Sequence, residues 1–186
     1  KVRVCNGLSC RMAGADDVET ALQAATDWMA TPVSERAAIL RKASDLYEAN
    51  FGELFALLAR EAGKTAMDAI GEMREAVDFM RYYADEAENQ GDQPSRGLFA
   101  CISPWNFPLA IFSGQITAAL AAGNGVLAKP AETTSLTAHR AIELMHEAGV
   151  PHNVLQLLPG RGSVVGAILS SDPRIAGLCF TGSTAT

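Results

Sequence analysis

Short apolar segments alternate with helical segments in the second half of the chain, and this alternation restricts the possible folds more than any other feature. The apolar segments, which we predict to be strands, are residues 98–102, 126–128, 154–158 and 175–180. The segments between them, which we predict to be helices, are residues 109–122, 135–147 and 163–169. Apolar strands joined by helices form parallel sheets with right-handed crossovers. The pattern therefore predicts an α/β fold with a doubly wound, Rossmann-like parallel sheet.

The first half of the chain is predicted to be helical and to pack on this sheet. Residues 16–29 form an Ala-rich helical segment, and Ser34 begins a second helix. Gly63 is predicted to cap the carboxyl end of the helix that follows. The longest helix spans residues 67–87, because apolar residues recur there at steps of three and four over about six turns. Charged residues, Glu72 among them, are expected to fill its other face.

The composition argues against several classes of protein. Lys and Arg number 15 and Asp and Glu number 21, so the net charge is −6, which argues against a nucleic acid partner. The chain contains no run of about 18 apolar residues, so no membrane span is expected. It shows no signal-peptide pattern and has only 4 cysteines, which indicates a reducing cytoplasm.

The N-terminal segment, residues 1–16, is atypical. Its Cys5 and Cys10 weakly resemble the first half of the C-x4-C motif of thioredoxin-like [2Fe–2S] subunits. Such a cluster needs four thiolates, and the other two cysteines, Cys101 and Cys179, lie far apart within predicted strands. We therefore expect no metal site, with an iron-binding electron-transfer protein as a distant alternative.

Polar or glycine-rich loops follow all of the predicted strands. They are residues 103–108, 129–132, 159–162 and 180–184. In open parallel sheets, ligands bind beyond the carboxyl ends of the strands. Because these ends share one edge of the sheet, we expect the loops to form a common site.

The loops after the second and fourth strands carry groups that suit a nucleotide. Lys129 can hydrogen-bond a ribose hydroxyl, and Glu132 can accept from the adenosine ribose and repel an added 2′-phosphate; the alternative is a surface ion pair. Gly182 and Ser183 lie where a helix should begin, a position that favours a pyrophosphate because backbone N–H groups and the helix dipole point at it. The alternative for Ser183 is a simple N-cap.

The loops after the first and third strands are also candidates. Residues 160–162 with Gly166 nearly match the dinucleotide fingerprint, with one residue too many, and an ordinary glycine-rich turn is the alternative. Asn106 is flanked by Trp105 and Phe107, two aromatic residues that are expected to exclude water. A carboxamide held in a dry loop can donate to a developing oxyanion. The alternative for Asn106 is a structural turn.

The four loops also carry a family resemblance. S-P-W-N-F-P, K-P-A-E, P-G-x-G and F-T-G-S-T, in this order, resemble the NAD-dependent aldehyde dehydrogenase superfamily. The sequence of residues 101–112 and 155–160 is similar to that of the L-glutamate-γ-semialdehyde (Δ1-pyrroline-5-carboxylate) dehydrogenase modules of bifunctional proline utilization A proteins. Residues 60–64 and 74–79 are similar to the same modules, and the resemblance covers roughly residues 17–186.

The resemblance implies a role for each loop. Asn106 would be the oxyanion-hole donor, and Lys129 and Glu132 would bind the adenosine ribose of NAD. Gly182 and Ser183 would cover the pyrophosphate. The full set of cofactor-binding residues implied is Ile102, Ser103, Pro104, Trp105, Lys129, Ala131, Glu132, Gly160, Phe180, Thr181, Gly182 and Ser183. The family reaction is attack of a cysteine thiolate on the aldehyde, hydride transfer to NAD⁺ and hydrolysis of the thioester by water that a glutamate activates.

The nucleophilic cysteine and the base glutamate of this family lie C-terminal to F-T-G-S-T. Cys101 and Cys179 are not expected to replace the nucleophile, because both lie in apolar strands where thiols are usually inert. We therefore expect the chain to be part of an aldehyde dehydrogenase and to be inactive alone. The alternative to an aldehyde dehydrogenase is a non-catalytic NAD-binding fragment or pseudoenzyme.

The resemblance also implies a domain division and a set of partners. Residues 17–95 would be the helical part of an NAD-binding domain, and residues 96–186 would be its βα units, truncated at the C-terminus. The expected substrate is a small aldehyde, L-glutamate γ-semialdehyde, in proline catabolism. The full-length protein is expected to be a homo-oligomer and to be fused to a proline dehydrogenase domain.

Overall fold

The structure is a computed structural model, and it describes residues 24–183. Residues 24–30 are helical. The helices that follow are α1 Val33–Ala49, α2 Phe51–Ala62, α3 Ala66–Gln90, α4 Ala110–Ala121, α5 Ser135–Ala148 and α6 Ala167–Ser171. The strands are β1 Leu98–Ile102, β2 Gly125–Lys129, β3 Leu155–Leu157 and β4 Ile175–Phe180. A 3₁₀ turn, Glu132–Thr134, leads into α5, and a π-helical turn, Gly162–Gly166, leads into α6.

The strands form one parallel sheet in the order β3-β2-β1-β4, which confirms the predicted α/β fold. After β1, the chain builds outward through β2 to β3 and then returns to place β4 on the other side of β1. The sheet is covered on both faces by helices. Cys101 and Ala128 face the larger core that contains α4 and α5, whereas Ala100 and Leu127 face a smaller cluster with Leu169 of α6.

The larger core joins the helical half of the chain to the sheet. Helix α3 packs against both α1 and α4. Tyr47 of α1 is fully buried, and its hydroxyl lies 3.1 Å from Ser113 Oγ and donates to the carbonyl oxygen of Ala141 over 3.2 Å. Because a buried hydroxyl without a partner is costly, these bonds fix α1 against α4 and α5.

Helix α3 begins at a capping box, in which Thr65 accepts from the backbone N–H of Asp68 and the Asp68 carboxylate accepts from that of Thr65. The predicted long helix is confirmed, but the prediction of its faces was wrong at three positions. Met67 and Ile70, expected in the core, are 74% and 38% exposed, and Glu72, expected on the polar face, is 2% exposed. Glu72 faces the start of α4, where it accepts a hydrogen bond from the N–H of Ala110.

Gly63 has a φ of 65°, a left-handed conformation that confirms the predicted helix end. The predicted helix at 163–169 is shifted: a π-helical turn occupies its first part and α6 its end. The atypical segment at residues 1–16 lies outside the described residues, and so does most of the predicted helix at 16–29. None of the helices that the structure describes is long and apolar enough to cross a membrane.

Candidate functional site

The carboxyl ends of β1 and β4 lie side by side, at the point where the strand order reverses. Ile102 pairs with Phe180, and the backbone N–H of Thr181 donates to the carbonyl oxygen of Ile102 over 3.1 Å. Beyond these ends the chain continues into residues 103–108 on one side and into Gly182 on the other. In doubly wound sheets such a reversal opens a crevice between the two loops, and ligands bind there.

Lys129 ends the neighbouring strand β2, and it is 4% exposed. Its backbone carbonyl oxygen accepts from the N–H of Ser103 over 3.1 Å, which ties the β2 end to the β1 loop. Its Nζ donates to the carbonyl oxygen of Pro130 over 3.1 Å. Burial lowers the pKa of Lys129, and the Glu132 carboxylate partly opposes this shift. The alternative of a surface ion pair is wrong, because the ammonium group is buried.

The loops after β2 and β3 contact each other. Oε1 of the exposed Glu132 accepts from the backbone N–H of Gly162 over 3.1 Å. A Cβ built on Gly166 would lie 3.9 Å from Cε of Lys129, so the backbone of the π-helical turn lies near the lysine stem. A Cβ on Gly160 would lie 2.6 Å from a methyl group of Val165, so this tight turn requires glycine.

The loop after β4 is held by α4. Nε2 of Gln115 donates to Oγ1 of Thr181 over 2.9 Å. A Cβ on Gly182 would lie 2.6 Å from the exposed Phe180 ring, so the backbone of the turn passes close to that ring. Ser183 is exposed and is the last residue that the structure describes. The choice between a pyrophosphate ligand and an N-cap for Ser183 therefore stays a prediction.

Asn106 is exposed at the tip of the loop after β1. Its neighbours Trp105 and Phe107 are 59% and 39% exposed. The prediction that these two aromatic residues exclude water around Asn106 was wrong for the described residues, because both rings contribute to the surface. The loop is nevertheless fixed at its far end, where Oε2 of Glu72 accepts from the backbone N–H groups of Leu109 and Ala110 over 3.3 and 2.9 Å.

Two buried polar atoms next to the crevice have no hydrogen-bond partner among the described residues. They are Oγ of Ser103 and Oε1 of Gln115. Native proteins rarely leave such atoms unpaired, so each is available to a ligand or to ordered water. The described residues contain no cluster of three metal-ligating side chains.

Cys101 and Cys179 are register partners on β1 and β4. A hydrogen bond between the two thiols raises the pKa of the fully buried Cys101 and lowers the pKa of the half-buried Cys179. The expectation that both thiols are inert overlooked this contact, because strand order is not visible in the sequence. Both nevertheless lie within strands, each one residue before its end, and not in the loops beyond the sheet.

Sequence reasoning missed three residues that hold these loops. They are Lys64, Glu72 and Gln115. Helical periodicity could have found one of them, since Glu72 lies three residues after the buried Ala69 and four before the buried Ala76.

A parallel sheet with glycine-rich and polar loops at a strand-order reversal defines a nucleotide-binding class of α/β protein. The sequence matches the profile of the aldehyde dehydrogenase family over residues 7–186, and the chain belongs to this family. It is 58% identical over 182 residues to bifunctional protein PutA of Salmonella typhimurium, a match that covers 94% of this chain and 14% of PutA. It is 39% identical to 1-pyrroline-5-carboxylate dehydrogenase of Anoxybacillus flavithermus, covering 92% of this chain and 37% of that enzyme.

Solved structures agree with this assignment. Proline utilization A of Bradyrhizobium japonicum superposes with a TM-score of 0.92 at 44% identity, over 99% of this chain and 20% of that one. 1-Pyrroline-5-carboxylate dehydrogenase from Thermus with bound NAD superposes with a TM-score of 0.87 at 36% identity, over 90% of this chain and 36% of that one. The chain thus spans between about one seventh and three eighths of the length of these relatives.

Proposed function

We propose that this chain is the NAD-binding part of an enzyme that oxidises L-glutamate γ-semialdehyde to L-glutamate in proline catabolism. One observation carries the proposal: the loops after β1 and β4 flank the strand-order reversal, and the loops after β2 and β3 contact each other beside it. The similarity to PutA and to 1-pyrroline-5-carboxylate dehydrogenases supports the choice of substrate. The bound NAD of the Thermus enzyme supports the choice of cofactor.

Each loop has a proposed contact with NAD. Lys129 carries three donor hydrogens and has one acceptor among the described residues, so it can donate to a ribose hydroxyl. Oε2 of Glu132 can accept from the same ribose while Oε1 holds Gly162, and the carboxylate charge disfavours a 2′-phosphate. The remaining cofactor contacts proposed are Ile102, Ser103, Pro104, Trp105, Ala131, Gly160, Phe180, Thr181, Gly182 and Ser183.

The fit rests on buried donors and a tight glycine turn. The unpartnered Ser103 Oγ lies beside the crevice, and a Cβ at Gly160 would collide with Val165. When bound, NAD⁺ supplies the acceptor for the hydride of the aldehyde. The chain's own residues bind and orient the cofactor, and no described residue is proposed to accept the hydride.

Asn106 is the proposed oxyanion donor. Its carboxamide N–H would donate to the aldehyde oxygen as negative charge develops there. Such a bond is strong only when water is excluded, and the exposed loop needs a cover that the described residues do not provide. Cys101 and Cys179 are not proposed as the nucleophile, because both lie within strands and not in the loops beyond the sheet.

The wider assembly is proposed in the same way. Residues 17–95 and 96–186 would be the helical part and the βα units of one NAD-binding domain, preceded by the atypical residues 1–16. The matches to PutA support fusion to a proline dehydrogenase domain, and we also propose a homo-oligomer.

The test uses the full-length enzyme. We expect NADH formation from L-glutamate γ-semialdehyde, with NADP⁺ a poor substitute, and a fall in kcat of about 100- to 1,000-fold for Asn106→Ala. Absence of turnover with this aldehyde, or a higher kcat/KM for an unrelated aldehyde, would overturn the substrate assignment. Tight NAD binding without turnover on any aldehyde would instead indicate a non-catalytic NAD-binding protein.

A further inference from the structure

Glu72 is a buried carboxylate beneath the loop that carries Asn106. It lies on α3 and is 2% exposed. Its Oε2 accepts from the backbone N–H groups of Leu109 and Ala110, and its Oε1 lies 2.9 Å from Nζ of Lys64. One carboxylate oxygen therefore accepts from the start of a helix, and the other forms an ion pair with Lys64 but no hydrogen bond among the described residues.

Helix α4 depends on this carboxylate because it has no cap of its own. Its N-cap residue, Leu109, offers no side-chain hydrogen bond. The first N–H groups of a helix lack partners within the helix, and a negative charge near them is also favoured by the helix dipole. Glu72, 38 residues away from Ala110, supplies both the acceptor and the charge.

Lys64 extends the anchor into the loop itself. The left-handed Gly63 turns the chain at the end of α2 and precedes Lys64, whose side chain is mostly buried. Nζ of Lys64 lies 4.3 Å from the centre of the Phe107 ring, a cation–π contact. The ammonium group therefore touches Glu72 on one side and the residue after Asn106 on the other.

The loop is thus held on both sides of Asn106. On the upstream side, the Ser103 N–H donates to the carbonyl oxygen of Lys129. On the downstream side, Glu72 holds Leu109 and Ala110. Without this carboxylate, the downstream end would keep its buried side chains at Leu109 and Ala110 but lose the acceptor for their N–H groups.

We propose that Lys64 and Glu72 are positioning residues, which place the Asn106 carboxamide where the oxyanion of the reacting aldehyde develops. This inference rests on the proposed role of Asn106. Neither residue touches the substrate, so both act through the loop. The competing explanation is that Glu72 is a structural helix cap with no particular effect on Asn106.

A double-mutant cycle in the full-length enzyme separates these explanations. Displacement of a catalytic group by about 1 Å costs up to about 100-fold in rate, so we expect Glu72→Ala to lower kcat by about 10- to 100-fold. In the Asn106→Ala background, the same change should lower kcat by less than about 3-fold, because the group that Glu72 positions is already absent. Glu75→Ala, on the exposed face of the same helix, is the matched control and should leave kcat unchanged.

The second cycle uses Lys64→Met, which removes the charge and keeps most of the side chain. This variant tests the proposal independently if Glu72→Ala does not fold. Thermal melting of every variant is measured to detect loss of folding. We expect Lys64→Met to lower kcat by about 3- to 30-fold, and this loss should also largely disappear in the Asn106→Ala background.

Three outcomes can occur. Losses that shrink in the Asn106→Ala background support the positioning role. Equal losses in both backgrounds overturn it and leave Glu72 as a structural cap, with the proposed function intact. An unchanged kcat for Asn106→Ala alone contradicts the oxyanion role itself, and the positioning role falls with it.

Discussion

Replacement of Lys129 by methionine should change stability and cofactor binding in opposite directions. The ammonium group is buried, and the only acceptor that the described residues give it is the carbonyl oxygen of Pro130. Replacement of buried charges by apolar groups of similar volume stabilises proteins by up to about 1–4 kcal/mol. Loss of the hydrogen bond to Pro130 costs about 1 kcal/mol. The expected net result for Lys129→Met is a gain of about 1–2 kcal/mol in the free energy of unfolding.

The effect on NAD has the opposite sign. The proposed hydrogen bond from the Lys129 ammonium to a ribose hydroxyl is charge-assisted and contributes about 1.5–3 kcal/mol. Its loss corresponds to a rise in the Kd for NAD of about 10- to 100-fold. A more stable protein that binds its cofactor less well is the usual outcome when a binding site keeps a costly buried charge.

Lys42 offers a matched control, because its Nζ also donates to a backbone carbonyl oxygen, that of Glu147, but at an exposed position. Lys42→Met should change the free energy of unfolding by less than about 0.5 kcal/mol. Urea unfolding of the 186-residue chain, followed by circular dichroism, measures the stabilities, and calorimetric titration of the full-length enzyme measures the Kd for NAD. Destabilisation by Lys129→Met would refute the argument about the buried charge, and an unchanged Kd would refute the contact with the ribose.

The pH dependence gives an independent check. Burial lowers the pKa of Lys129 in the folded state. The unfolded chain therefore binds more protons than the folded chain between that lowered pKa and the pKa of an unfolded lysine, about 10.4. The wild-type chain therefore gains stability as pH rises through this window, whereas Lys129→Met does not. The stability difference between the two should narrow as pH approaches about 10.4, and a constant difference would contradict the shift.

Two further predictions concern the core. Tyr47→Phe should lower the free energy of unfolding by about 1–2 kcal/mol, because it removes the buried hydroxyl that bonds Ser113 and the Ala141 carbonyl oxygen, while Tyr82→Phe at the surface should have no effect in the same urea titration. Burial also lowers the pKa of His146, so the unfolded chain takes up the proton first and stability should fall as pH drops below about 6.5. His146→Gln should flatten this part of the stability profile, and an unchanged slope would show that another group titrates there.

The strands and their loops could be predicted from the sequence because their signals are local. Apolar runs that end in proline or glycine gave β1 and β4 with the bounds that the structure has. The order of the strands is not a local property, since any right-handed arrangement of the βα units satisfies the same pattern. The contact between Cys101 and Cys179 was therefore invisible, and so was the reversal that opens the crevice.

The burial of charged residues was the other feature that could not be predicted from the sequence. Glu72 was predicted on the polar face of its helix, and a surface ion pair was the alternative for Lys129, because charged side chains are rarely fully buried without partners. Their partners are backbone groups distant in sequence, or a neighbouring carbonyl oxygen, and no spacing rule reveals these. Helical periodicity could have identified Glu72 as buried, since it lies three residues after the buried Ala69 and four before the buried Ala76.

The two halves of the chain depend on each other at the starts of their helices. Helices α4 and α5 follow the β1 and β2 loops, and neither has a side-chain cap from its own N-cap residue. Glu72 of α3 caps the first, and Glu61 of α2 caps the second by accepting from the N–H groups of Leu136 and Thr137 over 3.0 and 2.7 Å.

The helical half therefore supplies the acceptors that orient the helices behind both loops, and an isolated second half would expose these N–H groups to water. The boundary near residue 95 is consequently a boundary in sequence pattern and not in folding. We expect the proposed cofactor contacts at Lys129 and the proposed oxyanion donor Asn106 to lose their geometry together when residues 24–95 are removed. Separate expression of residues 96–186 that retained NAD affinity would contradict this dependence.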